Sequence, residues 1–153
     1  MAATPDSIPR IPDSIPRGAA HSMLRHRVAF FETDAMKVVH HANYVRYFEL
    51  ARILFMDEHD APYKTYVDRD LHFATTKLEL RYLQSAAFDD RLEIWIWLDR
   101  VRRASLRMCY EVRRGDALLA SGATDHAMVD GTGRVRGIPK ERREGLGKLT
   151  PAS

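Results

Sequence analysis

Apolar side chains fall at helical spacing over one long stretch of this chain, and that stretch comes early. From Asn43 to Glu58, Tyr44, Tyr47, Phe48, Ala51, Leu54 and Phe55 mark one face of an amphipathic helix, with Arg46, Glu49 and Arg52 on another side. The rest alternates with a period of two. Met23 to Thr33 is rich in strand formers. Thr76, Leu78, Leu80 and Tyr82 share one face, as do Leu92, Ile94, Ile96 and Leu98, then Leu106, Met108, Tyr110 and Val112, and a last long strand covers Ala117 to Val129. One helix and five half-buried strands must bury each other. The pattern therefore predicts an α+β domain with an antiparallel five-stranded sheet wrapped around one long central helix. A doubly wound fold is excluded, because strands and helices do not alternate.

Local signals refine this outline. Asn43 is a candidate N-cap, since its side-chain oxygen can accept a bond from a first-turn amide. Trp95 and Trp97 fall on the strand face opposite Ile94 and Ile96, which predicts cover by a second subunit. The first 22 residues carry PDSIPR twice, at Pro5 to Arg10 and Pro12 to Arg17, and read as an extended, mobile leader outside a domain of residues 23–149 with a short tail, 150–153. The leader has no apolar core of the kind a signal peptide needs, and no apolar run is long enough to span a bilayer.

The chain has 24 Lys and Arg against 21 Asp and Glu, a net charge of +3. The excess is segregated. Residues 32–70 are net acidic, whereas residues 91–114 and the tail from Arg134 are net basic. Solvated strand faces account for most of these arginines, and a basic rim for a phosphate-bearing ligand is the functional reading. Nucleic-acid binding has no motif behind it. Cys109 is the single cysteine, which rules out an intramolecular disulfide and points to a reducing, cytoplasmic setting. Neither a GxSxG elbow nor a GxxxxGK[ST] loop is present, and no His or Cys pair has metal-ligand spacing, so no metal and no cofactor is expected.

Between the first strand and the helix the sequence becomes specific. Thr33-Asp34-Ala35, Val38-Val39, His41-Ala42-Asn43-Tyr44 and Phe48-Glu49-Leu50-Ala51-Arg52 follow one another in fixed order. This resembles the signature of the hotdog-fold acyl-CoA thioesterases of the 4-hydroxybenzoyl-CoA thioesterase family, especially the branch associated with the Tol-Pal system. The resemblance covers nearly all the chain after the leader. It implies hydrolysis of an acyl-CoA thioester to a free acid and CoA. Asp34 would be the catalytic carboxylate, activating water or attacking directly, and His41 would offer its backbone amide to the thioester oxygen. The chemistry suits the place, because thioester hydrolysis needs a base or nucleophile and donors for the developing oxyanion, and the first amides of a helix lack intrahelical acceptors.

The same reading sets Phe30, Val39, Tyr44 and Phe73 along an acyl pocket and Arg102 and Arg103 on the CoA phosphates. It implies dimers with sites at the subunit interface, paired again into tetramers. Two residues depart from the pattern. Lys37 stands where the branch carries glycine, so a positive φ there would strain the loop bearing Asp34, and Phe30 replaces a common tyrosine. Two alternatives follow: a hotdog hydratase or dehydratase, and a non-catalytic module binding acyl-CoA or an acyl carrier.

Overall fold

The computed structural model describes residues 10–151. Its strands are β1 (His21–Arg27), β2 (His72–Tyr82), β3 (Arg91–Val101), β4 (Ser105–Arg114) and β5 (Ala117–Val129), and its helices are α1 (Asn43–His59), α2 (Tyr63–Asp68) and α3 (Lys140–Gly147). The strands form one sheet in the order β1-β3-β4-β5-β2, with every pairing antiparallel. The sheet packs around α1, the arrangement expected from the period switch, and it is the hotdog fold that the family resemblance implies. The first strand ends sooner than its composition suggests, at Arg27, and Phe30–Glu32 form a single 3-10 turn instead.

The helix docks through Tyr44, Tyr47, Phe48, Ala51, Phe55 and Met56, all buried against Leu92, Ile94, Ile96, Leu98, Met108 and Val112. Arg52 is buried with them, contrary to its expected place on the solvent side. The tightest approach is at Gly122 of β5. There the Phe48 ring stacks on Tyr110 with centroids 4.1 Å apart and planes 10° from parallel. A Cβ at Gly122 would meet that ring and the Glu79 carbonyl, each at 2.6 Å.

The outer sheet face is covered differently from the expectation. Ile15 and Ala19 pack on Trp95 and Trp97, and the Ser14 hydroxyl donates to Glu111. The tryptophans are thus shielded by the second PDSIPR copy of their own chain, so they no longer argue for a second subunit. The first copy lies outside the described residues except for Arg10. The basic tail folds back as well. Ile138 and Leu146 are buried, and Arg136 and Arg142 pair with Asp130 and Asp60 at 2.8 and 3.8 Å.

Strand β2 is an edge, and this changes its burial. Leu78 and Tyr82 are 41% and 49% exposed, although their alternation reads as half-buried. A bulge between Thr75 and Lys77 shifts the register with β5. Replacing Gly122 by Ala should lift Phe48 from the sheet and cost about 1–3 kcal/mol, measured as a lower urea midpoint at unchanged m; an unchanged midpoint would show that the helix tolerates the displacement.

Candidate active site

The segment that joins β1 to α1 is a small hairpin. Thr33 bridges Val39, the Asp34 amide donates to the Val38 carbonyl at 2.9 Å, and Val38 bridges Ala87 on the neighbouring loop. Lys37 forms its tip with φ +64°, so lysine occupies the left-handed conformation that glycine adopts freely. Asp34 is half-buried, and its Oδ1 accepts the Met36 amide at 2.8 Å in an Asx turn.

Glu32 ties this hairpin to the helix. Its buried carboxylate accepts the Ala29 amide at 2.7 Å and bonds His26 Nε2 at 2.8 Å. Burial opposes ionisation, yet the Ala29 and His26 bonds outweigh it and hold the carboxyl below its ordinary value. The Glu32 carbonyl then takes two further donors, the His40 amide and the Asn43 side chain, both at 2.8 Å. Asn43 therefore does not cap α1; Ala42 precedes the helix, and the Asn43 amide group crosses to Glu32.

These bonds decide which amide is available. His40 donates to Glu32, Ala42 to His40 Nδ1 at 3.1 Å, and Asn43 to the His40 carbonyl at 2.9 Å. The His41 amide has no acceptor among the described residues. On its carbonyl side, the Tyr82 hydroxyl donates at 2.8 Å, which fixes the peptide against β2. A cavity of about 210 Å³ opens here, lined by Val39, His41, Tyr44, Tyr82 and Gln84. Tyr44 lies edge-on to Tyr82 at 5.2 Å, and burial pushes its hydroxyl pKa up, so it stays a neutral donor.

Of the residues singled out by sequence, Val39, His41 and Tyr44 meet at this cavity, with Asp34 on the adjoining hairpin. The others are placed elsewhere within one chain. Phe30 is 75% exposed on the outer side of the loop, edge-on to Phe88 at 5.5 Å. Phe73 packs against Tyr63 and Tyr66 at the start of β2, the opposite end of that strand from Tyr82. Arg102 and Arg103 are exposed in the β3–β4 turn, where Ser105 pairs with Ala127, whereas Tyr82 pairs with Ala120 at the other end of β5. Pairing register, which decides the end of the sheet, is invisible in a single alternating pattern.

Sequence reasoning missed Tyr82, Glu32 and a buried polar chain beneath the helix. Arg52 NH1 lies 3.2 Å from His126 Nε2, and since guanidinium only donates, Nε2 is an acceptor and Nδ1 carries the ring proton. The Thr124 hydroxyl donates to the same Nε2 at 2.7 Å, and the Tyr110 hydroxyl donates to Thr124 at 2.7 Å. Burial first, then the Arg52 charge, hold His126 down at about 3.

The five-stranded antiparallel sheet around one long helix defines a hotdog protein. Residues 28–146 match the model of the Thioesterase-like superfamily, and the chain belongs to that family. A hypothetical protein from Thermus thermophilus of solved structure is 32% identical, with a TM-score of 0.82 over 87% of this chain and 100% of that one. A hypothetical protein from Aquifex aeolicus is 36% identical, with a TM-score of 0.77 over 82% of this chain and 98% of that one. The acyl-CoA thioester hydrolase YbgC of Escherichia coli O6:H1 is 34% identical over 80 residues, 52% of this chain and 60% of that protein.

Two measurements check the local physics. Lys37→Gly should raise stability by about 1 kcal/mol by relieving the left-handed lysine, and an unchanged melting temperature would argue against strain at the tip. His126 takes up a proton near its ordinary value of about 6.5 only when unfolded, so stability should fall as pH drops from there towards about 3. Melting curves of His126→Asn should lose part of this acid sensitivity, at most about 1.4 kcal/mol per pH unit; identical pH profiles would contradict a neutral His126.

Proposed function

We propose that this chain is an acyl-CoA thioesterase, converting an acyl-CoA and water to a free acid and CoA thiol. The observation that carries the reading is the His41 amide, a donor without an acceptor among the described residues, just before α1 on a residue that lines a cavity with Tyr44 and Tyr82. A thioester carbonyl seated there would accept that amide, and the bond would strengthen as charge builds on the oxygen. The dipole of α1 adds to it. Membership in the Thioesterase-like superfamily and the likeness to YbgC support the choice of thioester.

Asp34 supplies the carboxylate. Its Oδ1 is engaged by the Met36 amide, which orients the group and leaves Oδ2 to take a proton from water or to attack the acyl carbon. On the water route, Oδ2 removes one proton, hydroxide adds to the carbonyl carbon, and the C–S bond breaks as the oxyanion collapses. The thiolate then takes up the proton. The His41 ring, exposed and stacked on His40 at 4.0 Å, would stabilise the departing sulfur.

The unpaired edge of β2, with exposed Leu78, Tyr82 and Leu83, supports a dimer that would close the cavity from outside. Pairing of dimers into tetramers, implied by the family resemblance, would have to use a face other than the one Ile15 and Ala19 cover. The single cysteine supports a reducing, cytoplasmic setting.

Asp34→Asn should fold with an unchanged melting temperature and lower thiol release from acyl-CoA by at least about a hundredfold. Full turnover in this variant would remove Asp34 from the chemistry. Saturable acyl-CoA binding by the unmodified chain without any thiol release would point to a binding module instead.

A further inference from the structure

Arg52 is the only lysine or arginine that the fold buries among the described residues. A cation taken out of water needs an anion beside it. Here there is none inside. The neighbouring His126 is neutral, and the nearest carboxylate, Glu49, is two-thirds exposed and 3.9 Å from the guanidinium. Arg52 Nε is buried with no hydrogen-bond partner. One guanidinium nitrogen is used by His126, and the exposed Glu49 carboxylate at 3.9 Å is the one counterion the charge has among the described residues.

The group does not face solid core. A second cavity, about 150 Å³, is lined by Val45, Phe48, Glu49, Arg52, Thr75 and Leu78, between α1 and β2. The first cavity, at His41, lies between the same two elements, lined by Tyr44 and Tyr82. On α1, Val45, Phe48, Glu49 and Arg52 share the helix face that begins beside His41. At about 1.5 Å per residue, Arg52 lies roughly 16 Å along the helix axis from His41. On β2, Tyr82 borders the first cavity and Leu78 the second. The cleft between α1 and β2 thus holds two cavities in line, one beside the His41 amide and one with apolar walls of Val45, Phe48 and Leu78, where Arg52 stands with the Thr75 hydroxyl and with Arg46 and Glu49 at the rim.

We propose that Arg52 is the receptor for a carboxylate at the far end of the acyl chain, so that the preferred substrates are thioesters of long dicarboxylic acids. This rests on the thioesterase reading and names its substrate class. The planar guanidinium matches a carboxylate. A chain shorter than the cleft would strand its carboxylate among apolar side chains, where an unpaired charge is costly. Preference for the ω-carboxyl group therefore rises at one chain length and is lost or reversed below it.

The test compares kcat/KM for ω-carboxyacyl-CoA and unsubstituted acyl-CoA of equal length, across a series of lengths, with the full chain. At the matching length the ω-carboxyl substrate should be favoured about ten- to a hundredfold, the range of a charge-assisted bond. Arg52→Met should bring that ratio close to one, and Arg52→Lys should keep part of it. Absence of the preference at every length, or its survival in Arg52→Met, overturns the proposal. A readout without turnover guards against a variant that fails to fold. Free long-chain α,ω-dicarboxylic acids should raise the melting temperature of the unmodified chain more than monocarboxylic acids of equal length, and equal shifts overturn the proposal. If no acyl-CoA releases thiol, the thioesterase reading fails, while the melting comparison still decides whether Arg52 holds a carboxylate.

Discussion

The contact on which the molecule depends is the one between the Phe48 ring and the sheet at Gly122. A central helix can serve a curled sheet only if it lies close, and here it lies within ring-stacking distance of Tyr110 because β5 has no side chain in the way. That closeness seals Tyr47, Phe55 and Met56 into the core. It also sets the height of the first turn of α1 above the end of β2, where Tyr82 reaches the His41 carbonyl. The position of the His41 peptide is thus tied to packing in the middle of the helix.

A second layer of constraint works at the helix start. Glu32 uses its carboxylate to hold Ala29 and His26 and its carbonyl to hold His40 and Asn43. The amides of His40, Ala42 and Asn43 thus have partners on Glu32 and His40, and the His41 amide has none among the described residues. The strained lysine at the hairpin tip belongs to the same region, and such strain concentrates where function over-determines the backbone.

Much of this was legible in the residues. The switch from a period near 3.6 to a period of two reports which face each element buries, so the helix, the strands and their class followed directly. The loop signature around Asp34 and His41 stood out because so many positions agree in spacing. What escaped was everything set by contacts across the chain. Arg52 falls at a spacing that reads as solvent, and only the neutral His126 beneath it shows why the helix admits it. Leu78 and Tyr82 alternate as a buried strand would, but edge position is a property of the sheet. Phe73, Arg102 and Arg103 have suitable chemistry at the wrong end of the sheet for this cavity. The tryptophans called for cover, and the repeat that covers them read as a leader, because proline-rich segments carry no periodicity to show which side they bury.

The most direct test is a crystal structure with a non-hydrolysable acyl-CoA in which a methylene replaces the thioester sulfur. The account predicts the ketone oxygen about 3 Å from the His41 amide nitrogen, with the acyl chain entering the cleft between α1 and β2. An analogue bound with its carbonyl away from the start of α1, and the His41 amide still without an acceptor, would contradict it.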